Sequence, residues 1–229
     1  MHCKSQSDTL SSISVTVLIF ANGDIPEVEW IRPYLSAASF VIAADGGSRH
    51  LLLLDHPPDV LIGDLDSLPA EAQAWRETNG RKLVIYPHDK NETDLELALL
   101  YAVHHFADDI QIFGALGGRL DQTLANIMLL AHPALAERRA ELVTENQQAW
   151  LVTEWTEVEG QIGDLISLIP IGGDVLVKET IGLRWPLSNE VLSVGLARGV
   201  SNEMIASLAT IAIAYGTLLC IHTRREWTR

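Results

Sequence analysis

The segment Gly63-Asp64-Leu65-Asp66-Ser67 sets two carboxylates two residues apart. On extended backbone such residues point to the same side. Two anions that close repel each other unless a cation lies between them. Mg²⁺ suits the pair, because it takes a few carboxylates and keeps places for water and phosphate oxygens. The structural alternative is a turn in which Ser67 caps a helix at Leu68-Pro69-Ala70. The two readings are compatible. Asp45-Gly46-Gly47 and Leu116-Gly117-Gly118-Arg119-Leu120-Asp121 repeat the theme. Their glycines would serve a tight turn, or let backbone N–H groups approach a phosphate. Arg119 would then be a charge-assisted donor, with Asp121 as the cap of the next helix in the plainer reading. In Asp89-Lys90-Asn91-Glu92-Thr93-Asp94, Thr93 and Glu96 form a capping box. Asp94 is then either a first-turn acid favoured by the helix dipole or a third carboxylate facing the first pair.

These clusters follow apolar runs. Val15 to Ala21, Phe40 to Ala44, Val60 to Gly63, Lys82 to Tyr86 and Ile110 to Gly114 read as buried strands. Leu51 to Leu54, Pro69 to Thr78, Asp94 to Phe106 and Gln122 to Leu130 read as helices. The alternation implies an α/β, Rossmann-like unit with a mostly parallel sheet and flanking helices. Ligands of such sheets bind beyond the carboxyl ends of the strands, where the acids and glycines collect. After Glu141 the helical period stops. Val143 to Thr156, Leu165 to Pro170, Val175 to Glu179, Val191 to Gly195 and Leu208 to His222 alternate as strands between turns such as Ile171-Gly172-Gly173-Asp174. The expected organisation is an α/β unit over 12–140 and an all-β sandwich over 141–229. Ala134 to Arg139 closes the last helix before the boundary, and the polar first eleven or so residues are expected to be disordered.

A formal charge of -14 on 229 residues argues against nucleic acid and anionic membrane as partners. It leaves a polyphosphate admissible, because Mg²⁺ can bridge carboxylate to phosphate. Cys3 and Cys220 lack metal-ligand spacing and read as reduced thiols, and Ile13 to Ala21 lacks a signal-peptide cleavage pattern. A cytoplasmic protein is expected. Met204 to Ile221 is nearly charge-free, yet its alternation around Tyr215-Gly216 fits two strands better than a membrane span. Trp30, Trp75, Trp150 and Trp155 read as core or interface residues. The chain has neither a P-loop nor a kinase catalytic loop, so phosphoryl chemistry must use another fold.

Together these residues resemble the thiamine pyrophosphokinase family. The resemblance runs in order from Asn22-Gly23 to Leu218-Leu219. It passes through Ala44 to Gly47, Gly63 to Ser67, Thr93-Asp94 with Glu96 and Ala98, and Gly114 to Asp121. In the second half it includes Gly182-Leu183-Arg184-Trp185-Pro186-Leu187 and Gly199-Val200-Ser201-Asn202-Glu203. It implies a homodimer with thiamine at the subunit interface, and ATP with Mg²⁺ at the α/β unit. It implies Asp64, Asp66 and Asp94 as metal ligands with Asp45 close by. Asn22, Gly23, Gly46, Gly47, Gly114, Gly117, Gly118 and Arg119 would contact nucleotide, Arg119 and Asp121 would serve catalysis, and Ser201 and Asn202 would belong to the thiamine pocket. The chain departs from the family where Ser48-Arg49 replaces a common Ala-Asn and where Gln122 replaces a common His. Some members stack thiamine on a tryptophan near the C-terminus. The comparable region here holds Cys220 and His222, with Trp227 later.

The implied reaction is attack by the primary alcohol of thiamine on the β-phosphorus of ATP, releasing AMP. Asp94 or Asp121 would orient the alcohol or accept its proton. The rivals are a pyrophosphokinase acting on a hydroxymethyl pterin, and a non-catalytic regulator that binds nucleotide or thiamine.

Overall fold

Both faces of the first strands are apolar, so both must be covered. In β1 (Thr16–Phe20), Val17 and Ile19 enter one core while Leu18 and Phe20 enter another. The same alternation splits β2 (Phe40–Ala44), with Ile42 and Ala44 on one side and Val41 and Ala43 on the other. Burial on two faces is what parallel strands require, because their crossovers lie on the sheet faces. The computed structural model describes residues 16–64, 82–87, 89–135 and 138–225. The expected helix from Pro69 to Thr78, the start of the chain, Cys3, Trp75 and Trp227 lie outside them.

The other strands of this half are β3 (Val60–Gly63), β4 (Lys82–Ile85), β5 (Asp109–Phe113) and β6 (Ala140–Val143). They pair in parallel in the order β6-β5-β1-β2-β3-β4. Helices α1 (Arg32–Ala37), α2 (Ser48–Leu53), α3 (Asp94–His105) and α4 (Leu120–Met128) lie among them. Thr93 caps α3 by accepting from the N–H of Glu96 at 3.1 Å, as the capping box anticipates. The α3 face of Leu95, Ala98, Leu99 and Ala102 is buried on the sheet.

β6 also pairs antiparallel with β7 (Gln147–Val152), and the sheet continues through β14 (Leu218–Thr223), β9 (Leu165–Pro170) and β12 (Asn202–Glu203). One ten-stranded sheet therefore spans the expected boundary near 140/141, which falls inside β6. A four-stranded antiparallel sheet, β11 (Ser188–Leu192), β10 (Val175–Ile181), β13 (Leu208–Tyr215) and β8 (Trp155–Glu159), covers its antiparallel half. β14 shows how the layers share one strand. Leu219 and Ile221 face the α/β core, whereas Leu218 and Cys220 face the sandwich core. No helix among the described residues is long and apolar enough to cross a membrane, and Met204 to Ile221 contains β13, a turn and most of β14.

Three readings need adjusting. Ala134 to Arg139 does not end a long helix. α4 stops at Met128, and two short 3₁₀ turns, Leu129–Ala131 and Pro133–Leu135, follow it. Pro133 lacks the N–H that would continue the ladder. The strand expected at Val191 to Gly195 lies earlier, at β11. Its register with β10 runs from Ser188 opposite Glu179 to Leu192 opposite Val175. Asp121 is not the cap of α4. Arg119 holds that position without a side-chain capping bond, because a guanidinium offers no acceptor, while the Asp121 carboxylate accepts from the Gln122 N–H within the first turn.

Candidate active site

Strand order reverses at β1: β2, β3 and β4 are added on one side of it, and β5 and β6 on the other. Such a switch point parts the flanking loops and opens a crevice at the carboxyl edge. Here the loops after β1 and β5 are joined by backbone hydrogen bonds. Ala21 N–H donates to Phe113 O at 2.8 Å, Gly23 N–H to Gly114 O at 2.6 Å, and Asp24 N–H to Leu116 O at 3.1 Å. Gly114, Gly117 and Gly118 have φ of 65°, 92° and 68°, so this second loop needs residues without a Cβ. From the far side, Arg49 donates to Asn22 O at 3.0 Å and Gly23 O at 2.9 Å. His50 Nε2 lies 2.9 Å from Gly23 O, and burial followed by the Arg49 charge pulls its pKa below the usual histidine value. Arg49, one of the departures from the family pattern, thus holds the first loop.

The crevice is a cavity of about 550 Å³. Asp45, Asp64 and Asp94 line it from three separate regions of the sequence. Asp45 is buried, and its φ of 43° lies in the left-handed region. That conformation is uncommon without glycine, and such backbone clusters at functional sites. Its neighbour across the sheet must be small. A Cβ on Gly63 would stand 2.9 Å from the Asp45 Cβ. Asp64 follows β3 directly. Asp94 opens α3, and its Oδ1 receives Lys90 Nζ at 2.5 Å.

Asn22, Gly23, Gly117, Gly118 and Arg119 also line the cavity. Gly46, Gly47 and Gly114 are not among its lining residues. They let the loops pack closely beneath it: a Cβ on Gly46 would stand 2.5 Å from the Asn22 amide. Arg119 and Asp121 form an exposed pair at 2.5 Å at the mouth. The Arg119 guanidinium, then the Gln122 N–H, push the Asp121 carboxyl down to about 2. Asp66 lies outside the described residues.

Further lining residues carry chemistry that the sequence reading did not assign: Asp24, Lys90, Glu92, Gln122 and Asn126. Asp24 immediately follows Asn22-Gly23, and Lys90 stands inside the acidic Asp89–Asp94 segment, so position alone was a usable signal for both. Asn126 carries no such signal. It is one turn and more into α4 and donates to Ala115 O at 2.7 Å, a contact made by folding.

Among the described residues the lining donors are carboxylate, amide, hydroxyl and backbone oxygens, with no thiol or imidazole. That chemistry fits a hard divalent cation such as Mg²⁺. Among the described residues no three acids, histidines or cysteines stand close enough to form a ligand cluster by themselves. A cation here would take a few carboxylates and complete its shell with water and phosphate, as Mg²⁺ does.

Ser201 and Asn202 lie elsewhere, in a separate cavity of about 370 Å³ with Leu168, Trp185 and Arg198. Asn202 is buried, and both ends of its amide bond to one neighbour. Trp185 N–H donates to Oδ1 at 3.1 Å, and Nδ2 donates to Trp185 O at 2.7 Å. The Trp185 ring is 58% exposed. Ser201 holds a φ of 59°, and its N–H donates to Ser167 Oγ at 3.0 Å. Cys220 is fully buried, and burial pushes its thiol up to about 12. His222 is buried against Asp164 at 2.9 Å. Neither presents a surface for a ring; among the described residues lining this cavity, the aromatic one is Trp185.

Comparison with known proteins agrees over nearly the whole chain. Residues 31–143 match the family model of the thiamin pyrophosphokinase catalytic domain, and residues 156–218 match that of the thiamin pyrophosphokinase vitamin B1 binding domain. Thiamine pyrophosphokinase from Bacillus subtilis (strain 168) is 30% identical over 210 residues, covering 91% of this chain and 98% of the relative. Thiamine pyrophosphokinase 1 from Arabidopsis thaliana is 31% identical over 223 residues, covering 85% and 81%. The crystal structure of the Bacillus subtilis enzyme superposes with a TM-score of 0.82 at 28% identity, over 91% of this chain and 99% of the other. That of thiamin pyrophosphokinase from Geobacillus thermodenitrificans gives 0.80 at 28% identity, over 93% and 99%.

Proposed function

The chain belongs to the thiamin pyrophosphokinase family, and we infer that its acid-lined cavity is where it transfers a pyrophosphoryl group from ATP to thiamine. The observation that carries this reading is the meeting of Asp45, Asp64, Asp94 and Arg119, from separate strand ends, in one cavity at the switch point of the sheet.

The oxygen of the thiamine hydroxyl forms a bond to the β-phosphorus of ATP. The bond from that phosphorus to the oxygen bridging the α-phosphorus breaks, and AMP leaves. Asp64, Asp66 and Asp94 would hold Mg²⁺, with Asp45 beside them. Bound there, Mg²⁺ supplies charge neutralisation on the phosphates and a fixed line of displacement. The backbone of Asn22-Gly23 and Gly117-Gly118 cradles the phosphates, and Arg119 offers a guanidinium to the leaving or transferred group. Arg119 holds the Asp121 carboxyl at about 2, which suits Asp121 to accept a hydrogen bond and orient a group. A base working near neutrality needs a higher value. Asp94, which lines the cavity where Asp121 does not, would receive the hydroxyl proton. Positioning carries most of the rate, as phosphoryl transfer needs little covalent help.

The α/β unit (12–140) would hold nucleotide and the β unit (141–229) thiamine. A homodimer fits the surface beside Arg119. Leu120, Leu124 and Met128 form an exposed apolar stripe along α4, 73%, 51% and 48% exposed, which a second copy would cover. A cytoplasmic location fits the buried free thiol of Cys220.

Mass spectrometry of mixtures containing the protein, ATP, Mg²⁺ and either thiamine or a hydroxymethyl pterin tests the reading. Thiamine diphosphate and AMP are expected. Turnover with the pterin alone would reassign the acceptor. Nucleotide binding without AMP release would leave a regulator.

A further inference from the structure

The cavity is strongly acidic, yet its ligand is a polyanion. Among the described residues, Asp24, Asp45, Asp64, Glu92 and Asp94 line it against two cations, Lys90 and Arg119. The cations differ in setting. Arg119 lies at the mouth, its side chain 72% exposed and paired with Asp121. The Lys90 side chain is only 12% exposed, with Nζ 2.5 Å from Asp94 Oδ1 and 5.9 Å from the centre of the Tyr86 ring. A lysine stem is long and flexible, so its ammonium can move a few ångströms without moving the backbone.

We infer that Lys90 is a further nucleotide-binding residue: its ammonium neutralises Asp94 in the free protein and passes to a phosphoryl oxygen when Asp94 turns to the metal carried by the nucleotide. The inference rests on the reading of this cavity as the nucleotide site. Asp94 cannot serve Lys90 and a metal equally through the same oxygen, since a carboxylate shared with an ammonium is a weaker metal ligand. The exchange keeps both charges paired before and after loading, so neither is stranded in a partly buried site. Asp94 also sits in the first turn of α3, where the helix dipole favours its anion.

A residue that merely tethers the loop before α3 and a residue that exchanges partners differ in sign. Loss of a tether weakens the binding of every ligand. Loss of the exchanging ammonium frees Asp94 for a metal while removing a cation from the phosphates. The test is calorimetric titration of the full chain with Mg²⁺ alone, then with α,β-methylene-ATP in saturating Mg²⁺, an analogue whose reactive bridge cannot break. Lys90→Gln is expected to bind the analogue about tenfold more weakly, and Mg²⁺ alone as tightly as wild type or more so. Lys90→Arg, which keeps the charge, is expected to bind the analogue within about threefold of wild type. If the wild type fails to bind the analogue, the reading of the cavity falls and the inference with it. If the wild type binds it and Lys90→Gln binds it equally well, the cavity stands and Lys90 has no such role. Weakening of Mg²⁺ and analogue together in Lys90→Gln makes Lys90 a tether and overturns the inference. Should Lys90→Gln fail to fold, Lys90→Arg decides, and a tenfold loss of analogue binding in it counts against the exchange.

Discussion

The two cavities differ in what their polar side chains face. At the carboxyl edge of the parallel strands, backbone hydrogen bonds and the Arg49 guanidinium hold the loops after β1 and β5, and carboxylates line the open space. In the antiparallel half polar side chains join the backbone hydrogen bonds in holding the frame. Asn202 turns both ends of its amide to the Trp185 backbone. Asp164 gathers His222 and the N–H groups of Gln161 and Arg225. The aromatic residue lining that second cavity is Trp185, with the Arg184 guanidinium carbon 5.8 Å from its ring centre. The difference fits the proposed division of ligands: a polyphosphate with its cation would call for charge, and a flat cationic heterocycle for an aromatic surface. It also separates residues whose loss strikes turnover from those whose loss strikes stability.

The largest effect is expected at the acidic edge. Asp66→Asn removes a charge at nearly constant shape, so AMP release should fall about a thousandfold while the urea midpoint is unchanged. Unaltered turnover at limiting Mg²⁺ would break the assignment of that edge to metal.

Asp164 gives the reverse pattern. Burial pushes its carboxyl up, but the Gln161 N–H, His222 and the Arg225 N–H outweigh burial and hold it below the ordinary 3.8. Its folded state therefore binds fewer protons than the unfolded chain. The stabilisation is complete above about 3.8 and is lost as pH falls through the lower folded value. Asp164→Asn should cost about 3 kcal/mol near neutrality, and the gap to wild type should narrow in urea titrations carried below that pH. A gap that stays constant across the range would show that the charge is not what Asp164 contributes.

A smaller loss is expected for Asn202→Ala, which strands the Trp185 N–H and carbonyl and should cost about 2 kcal/mol. Trp185→Ala should change stability by no more than about 0.5 kcal/mol. It should raise the KM for thiamine about tenfold with the KM for ATP unmoved, since it removes only a ring face. Equal effects on both KM values would mean that the two cavities are not divided as described here.

Much of this was legible in the residues. Continuous apolar runs at Val17 to Phe20 and Phe40 to Ala44 marked buried strands, because apolar content and run length are local properties. The capping box at Thr93 was local for the same reason. The acids and glycines at strand ends could be read, since the carboxyl-edge rule needs only element order. Three things required the fold. One was the continuity of the sheet through β6, which depends on pairing between strands far apart in sequence. Another was the role of Asn202, whose partner Trp185 lies seventeen residues away and whose hydrogen bonds cannot be read from composition. The last was the meeting of Asp45, Asp64, Asp94 and Arg119 around one cavity, from strand ends far apart in sequence. Sequence by itself determined which charges and glycines the chain brings and in what order. Only tertiary structure decided which of them meet, because strand order and side-chain direction are set by packing over the whole molecule.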